Sequence, residues 1–367
     1  MNKTILLISP EHWEGHFVSK HHYATTLASL GYRVYFLNPP DNKLSEILIK
    51  NTVYDNLWVI SAPIVAKGLR FYPALFRRWM EARWLQQLED QIRSAFSIVW
   101  LFENSRFFDM NFAGSRLKIY HQVDSNQNFH IPVAAASADI CFCTTNYIKK
   151  VIEPFNNKVF KIHHGFSSSL TKKPLSEEQR ALFTQSKLNV VYIGNLDISF
   201  LDIDLLVSLI KRYPHIYFHL VGHYSENKKL FSACSAFENV IWWGKVESTL
   251  IPSILAECDI QLLLYKAENQ QDKEQLANPH KVMEYLESGK ITVATYTDEY
   301  KDKLYLLEMV DNSKDYESTF QKVLENLDFY NSMEKQQQRI EFAKNNSYEK
   351  QLEKISSLLQ QLHLKAL

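Results

Sequence analysis

Along the chain, short apolar runs alternate with longer stretches in which apolar residues recur every three to four positions. In the first half the short runs are Thr4–Ser9, Arg33–Asn38, Leu57–Ala62, Ser97–Phe102, Leu117–Gln122, Asp139–Thr144 and Lys158–His163. Each has the length of a strand. His16–Leu30 and Pro73–Ser94 carry the 3.6-residue period of helices. Strands separated by helices predict βαβ units and a parallel sheet. The pattern breaks at Ser167–Pro174, which is polar, has no period and reads as a linker. A second series then places strands at Asn189–Ile193, Ile216–Val221, Asn239–Trp242, Asp259–Leu264 and Ile291–Thr295. The last part, Lys314–Leu367, reads as wholly helical. The prediction is an α/β fold of two doubly wound halves with a helical tail. Such sheets bind ligands at the carboxyl ends of their strands, near the point where strand order reverses.

Composition removes some functions. A length of 367 residues suits two domains, and 46% hydrophobic with 22% charged residues is a globular balance. Lys plus Arg equals Asp plus Glu at 41 each, so there is no basic excess and a nucleic-acid partner is disfavoured. The apolar part of Met1–Ser9 is too short for a signal-peptide core and reads as a first strand. No run of about 18 apolar residues predicts a membrane-spanning helix. Cys141, Cys143, Cys234 and Cys258 form no CxxC pair and no zinc-like spacing. They read as small buried hydrophobes of a cytoplasmic protein.

The densest chemistry lies in Glu274–Lys290. Asn278 has the character of an N-cap, Pro279 of a first helical residue and Gly289 of a C-terminal stop. A short helix delimited in this way presents free N–H groups and partial positive charge to a diphosphate. Lys281 falls in its first turn, where a cation opposes the helix dipole, a hint that it answers an anion. Glu284 follows three residues later on the same face, where a carboxylate accepts two hydrogen bonds from a ribose. A capped surface helix with an ordinary Lys–Glu contact fits the same residues.

The string Asn278-Pro279-His280-Lys281-Val282-Met283-Glu284-Tyr285-Leu286, closed by Gly289-Lys290, resembles the donor-site motif of a bacterial subgroup of GT-B glycosyltransferases. That subgroup is related to the retaining family 4 (group 1) enzymes, which carry two glutamates separated by seven residues. The second matches Glu284, while Leu276 stands at the place of the first. Val191–Leu196 is similar to the family's strand-then-glycine loop, and Asn239–Val246 to the element framing the nucleotide base. Tyr120–Asp124 resembles its Asp-bearing strand end, and Asn346-Ser347-Tyr348 its closing segment.

The resemblance implies two facing Rossmann-like domains: an acceptor domain at 1–166, a nucleotide-sugar donor domain at 167–345, and a helix at 346–367 crossing back to the first. It implies a nucleoside-diphosphate sugar as donor and a hydroxyl of a glycan or polyprenyl-linked acceptor, as in cell-surface polysaccharide synthesis. It implies no cofactor and no catalytic metal. Donor contacts would come from Gly15, Gly194, Asn195, Lys245, Val246, Asn278, Pro279, Lys281 and Glu284. No cation follows Gly194, so Lys281 and Lys245 carry the phosphate neutralisation.

Asp124 and Glu103 each end a predicted strand and are the candidate bases for an inverting reaction, or else caps and loop ligands. His12 and His16 flank Gly15 four apart, but nothing else there resembles a metal site. Asp202-Ile203-Asp204 has the form of a metal-binding DxD but reads better as a helix cap. Lys67–Trp84 holds five cations, one acid and several aromatics, which suits either an anionic membrane surface on the inner face or an ordinary solvated helix. Two other functions remain open: a nucleotide-sugar epimerase on the same fold, and a non-catalytic nucleotide-binding scaffold.

Overall fold

A computed structural model describes residues 3–15, 17–125, 129–166, 172–183, 188–226, 228–266, 269, 273 and 278–364. Leu276, His16 and most of the Ser167–Pro174 segment lie outside the described residues. The chain forms two compact units, Met1–His164 with Tyr348–Leu367, and Gly165–Ser347.

In the first unit the strands are β1 (Thr4–Ile8), β2 (Arg33–Leu37), β3 (Leu48–Asn51), β4 (Leu57–Ser61), β5 (Ile98–Leu101), β6 (Leu117–Gln122), β7 (Ile140–Cys143) and β8 (Val159–Lys161). Their order is β3-β4-β2-β1-β5-β6-β7-β8, so strand order reverses between β1 and β5. All pairs are parallel except the edge pair β3–β4. Alternate residues enter opposite layers: Leu6 and Ile8 join one apolar cluster, Ile5 and Leu7 the other. The second cluster also receives the C-terminal helix Tyr348–Gln361 through Tyr348, Leu352, Ile355 and Leu359, which are spaced to share one helix face.

In the second unit the strands are β9 (Asn189–Ile193), β10 (Tyr217–Val221), β11 (Val240–Gly244), β12 (Ile260–Leu263), β13 (Ile291–Thr295) and β14 (Glu308–Val310). Here the order is β11-β10-β9-β12-β13-β14, all parallel, with the reversal between β9 and β12. Val190 and Tyr192 face one layer, Val191 and Ile193 the other. The 314–364 segment is helical but broken, with turns after Glu325, Tyr330 and Lys344. All four cysteines are free and buried.

Candidate functional site

The second unit builds its site where β9 and β12 part. β9 is followed by Gly194, whose φ of 144° suits glycine, and whose N–H bonds the Val221 carbonyl at 2.9 Å. β12 runs out through Leu264 to Tyr265. The helix Lys281–Ser288 lies over both strand ends, fixed by Tyr285. That buried hydroxyl accepts from the Ile193 N–H at 2.8 Å and donates to the Leu262 carbonyl at 3.2 Å. Val282, Met283 and Leu286 fill the apolar cluster beneath. Gly289 closes the helix with φ 79°, and buried Arg339 donates to its carbonyl at 2.9 Å.

One feature of the predicted helix is corrected. Asn278 is not the N-cap and Pro279 is not its first residue. The helix starts at Lys281, with His280 in the N-cap position and no side-chain cap bond. The Val282 and Met283 N–H groups bond Pro279 and His280 carbonyls three residues back, so a tighter turn precedes the regular helix. Asn278 is buried beside that turn.

Lys281 spends its charge at the strand reversal. Its Nζ is out of solvent without a hydrogen-bond partner, 4.0 Å from the Tyr192 ring centroid and 5.1 Å from that of Tyr265. A Cβ added at Gly194 would meet this nitrogen at 2.6 Å and the Tyr192 hydroxyl at 3.6 Å. The Tyr192 hydroxyl is likewise buried and unpartnered. A cation–π contact of ~0.5–2 kcal/mol does not replace the hydration an ammonium loses on burial. Burial accordingly lowers the Lys281 pKa to about 7, against an opposing pull from Glu284. Burial raises the Glu284 carboxyl to about 7, against the pull of Lys281. Both groups are thus poised around neutrality, and an arriving anion would drive Lys281 fully to its charged form.

The remaining donor-side residues are spread along the same edge. Asn195 uses its side-chain oxygen on the Asp197 N–H at 3.0 Å, so it shapes the loop. Lys245 is exposed just past β11, two strands from β9, a lateral distance of roughly 10 Å. Val246 packs on the apolar cluster containing Ile193 and Val221. Asp202 caps the helix Ile203–Arg212 by accepting from the Leu205 N–H at 3.1 Å, and Asp204 pairs with Lys229.

In the first unit, Lys20 lies at the β1/β5 reversal and is only 2% exposed. It bonds Glu11 at 3.1 Å and Asp124 at 3.2 Å. Asp124, 48% exposed past β6, is held by a buried cation. Glu103 accepts from the Ser105 N–H at 2.5 Å and ties down its own loop. Gly15 is exposed and closes a turn on His12. Among the described residues no group of three or more His, Cys, Asp or Glu is arranged to hold a metal. No described helix is long and apolar enough to cross a membrane.

Tyr192, Tyr265 and Tyr285, which wall and hold the Lys281 site, are not among the residues predicted for it. Tyrosine inside an apolar strand looks like core, and only the Tyr285 place in the motif marked it.

No family model matches the sequence, and no curated protein matches it. The structure does have relatives. Sucrose-phosphate synthase from Thermosynechococcus elongatus superposes with a TM-score of 0.70 at 12% identity, over 99% of each chain. Anabaena HepE in complex with UDP and glucose matches at 0.68 and 15%, over 97% of this chain and 99% of that one. WaaG, a glycosyltransferase involved in lipopolysaccharide biosynthesis, matches at 0.64 and 12%, over 95% and 98%. The chain has the GT-B glycosyltransferase fold, built from two Rossmann-like units.

Proposed function

We propose that the chain is a glycosyltransferase that moves a hexosyl group, without a metal, from a nucleoside-diphosphate sugar to a hydroxyl of a glycan or lipid-linked acceptor. The reading places it in cell-surface polysaccharide synthesis. The observation that carries it is the buried, unpartnered Lys281 ammonium against Gly194 at the β9/β12 reversal. A diphosphate supplies the charge that this nitrogen lacks, and the charge developing on the leaving group is where a preorganised cation helps most. Glu284 holds the ribose, Gly194 lets the phosphates approach, and Lys245 with Val246 borders the nucleotide. Gly15 contributes a donor contact from the first unit, and Asp124 belongs to the acceptor side, where Lys20 orients the carboxylate.

Uridine is the favoured base, since the relatives solved with ligands carry UDP or UDP-glucose. The membrane-facing part of this reading is the Lys67–Trp84 segment, resting on an anionic lipid surface.

A thermal-shift screen with UDP, GDP, CDP and dTDP tests the donor site. UDP raises the melting temperature, and Lys281→Ala or Glu284→Ala removes the rise. No shift with any nucleotide contradicts the proposal. Turnover of UDP-sugar without an acceptor would favour an epimerase instead.

A further inference from the structure

The loops after β2, β4 and β5 and the helix Ala74–Ile92 enclose a cavity of about 610 Å³. Ligand pockets span roughly 300–1,000 Å³. The wall is mainly apolar, including Val65, Leu69, Phe71, Trp84, Phe107 and Phe108. Three lining side chains keep a polar atom out of solvent without a hydrogen-bond partner, Arg77 Nε, Glu81 Oε2 and Trp84 Nε1, and of these only the carboxyl of Glu81, 3% exposed, can accept as well as donate. The Phe107 N–H serves the carboxyl, and Phe107 itself holds a left-handed φ of 51°. Burial pushes the Glu81 carboxyl up to about 8, more than Arg77 pulls it down. At neutral pH it is an uncharged acid that both donates and accepts.

The first half of the adjoining helix is inside out. Arg77 and Glu81 are buried, while Leu75, Phe76 and Trp79 face solvent. Phe71, in the preceding turn, lines the cavity and is also 79% exposed, so the cavity opens onto this apolar stripe. Exposed Lys67, Arg70 and Arg83 border the stripe, with Arg70 stacked 4.8 Å from the Phe71 ring centroid. The acid of the segment is inside, so its outer face carries cations alone. Such a face complements anionic lipid.

We propose that the cavity takes one acyl chain of an anionic glycerophospholipid drawn from that surface, with Glu81 bonding the ester carbonyl and Arg70 meeting the phosphate. The inference rests on the membrane reading of Lys67–Trp84 and is independent of the nucleotide site.

The test uses the full chain and vesicles of phosphatidylcholine with acyl-brominated phosphatidylglycerol. Sedimentation reports surface binding, and bromine quenching of Trp84 reports the cavity. The Trp84 signal is the difference between Trp79→Phe and the Trp79→Phe/Trp84→Phe variant. The expected result is sedimentation with Trp84-dependent quenching. Glu81→Gln should keep it within about twofold and Glu81→Leu cut it about fivefold, as for one lost hydrogen bond. Sedimentation without Trp84 quenching overturns the cavity proposal and leaves surface binding standing. No sedimentation overturns both. Equal quenching in Glu81→Leu removes Glu81 from the recognition. A UDP thermal shift that persists in every variant certifies the fold and keeps these outcomes apart from failure of the donor site.

Discussion

Each unit places a lysine ammonium out of solvent near the point where its strand order reverses, and the two lysines differ in one respect. Lys20 is bonded to two carboxylates, Glu11 and Asp124. Lys281 has two phenol rings and no hydrogen-bond partner. A buried charge that the protein satisfies itself belongs to the scaffold, whereas one left incomplete marks where something else must bind. One lysine is therefore a cation paired within the chain and the other a candidate ligand cation.

The comparison breaks most visibly through stability. Lys20→Met leaves Glu11 and Asp124 beside a buried void of charge. Breaking a buried pair costs ~3–5 kcal/mol, and less here because both carboxylates reach solvent; about 2 kcal/mol is expected. Urea unfolding should show that loss, while Lys281→Met should show none. If Lys281→Met is the more destabilising of the two, the assignment of roles is reversed.

Gly194→Ala sharpens the contrast next. The new Cβ would meet the Lys281 nitrogen at 2.6 Å, on a backbone with φ of 144°. Nucleotide affinity should fall about tenfold or more, because a displaced cation loses its phosphate contact. Calorimetric titration with UDP checks this; unchanged affinity would place the phosphates elsewhere.

A smaller effect is a pH dependence with a defined sign. The Lys281 pKa is lowered from 10.5 to about 7, so its share of stability is present above 10.5 and is lost as pH falls toward 7. Binding runs the other way. The anion needs the charged form, so UDP affinity should weaken as pH rises from 7 to 9, by up to tenfold per unit. Lys281→Arg, always charged, should flatten that slope. An identical slope in the arginine variant would assign the titration to another group.

Much of the scaffold was legible in the sequence. β6, β9 and β13 occupy the residues their apolar runs mark. β3 and β14 were missed because they are edge strands: Leu48-Ile49 is followed by Lys50-Asn51, and β14 has three residues. Such segments are strands by pairing rather than by pattern. Lys281 and Gly194 were each legible as motif residues, but their contact was not, since it depends on Tyr285 tying the helix to both strands. Glu81 was counted only as the one acid of Lys67–Trp84. Its spacing to Arg77, Trp84 and Leu88 shares one helix face, and that period was the signal for its burial.

The central claim is that Lys281 is incomplete until a nucleotide diphosphate binds. Calorimetric titration of UDP into the wild-type chain and into Lys20→Met and Lys281→Met tests it most directly. The account predicts measurable binding for the wild type and for folded Lys20→Met. For Lys281→Met it predicts a loss of about a hundredfold, in the range of a buried charge contact. UDP binding to Lys281→Met with wild-type affinity would contradict it.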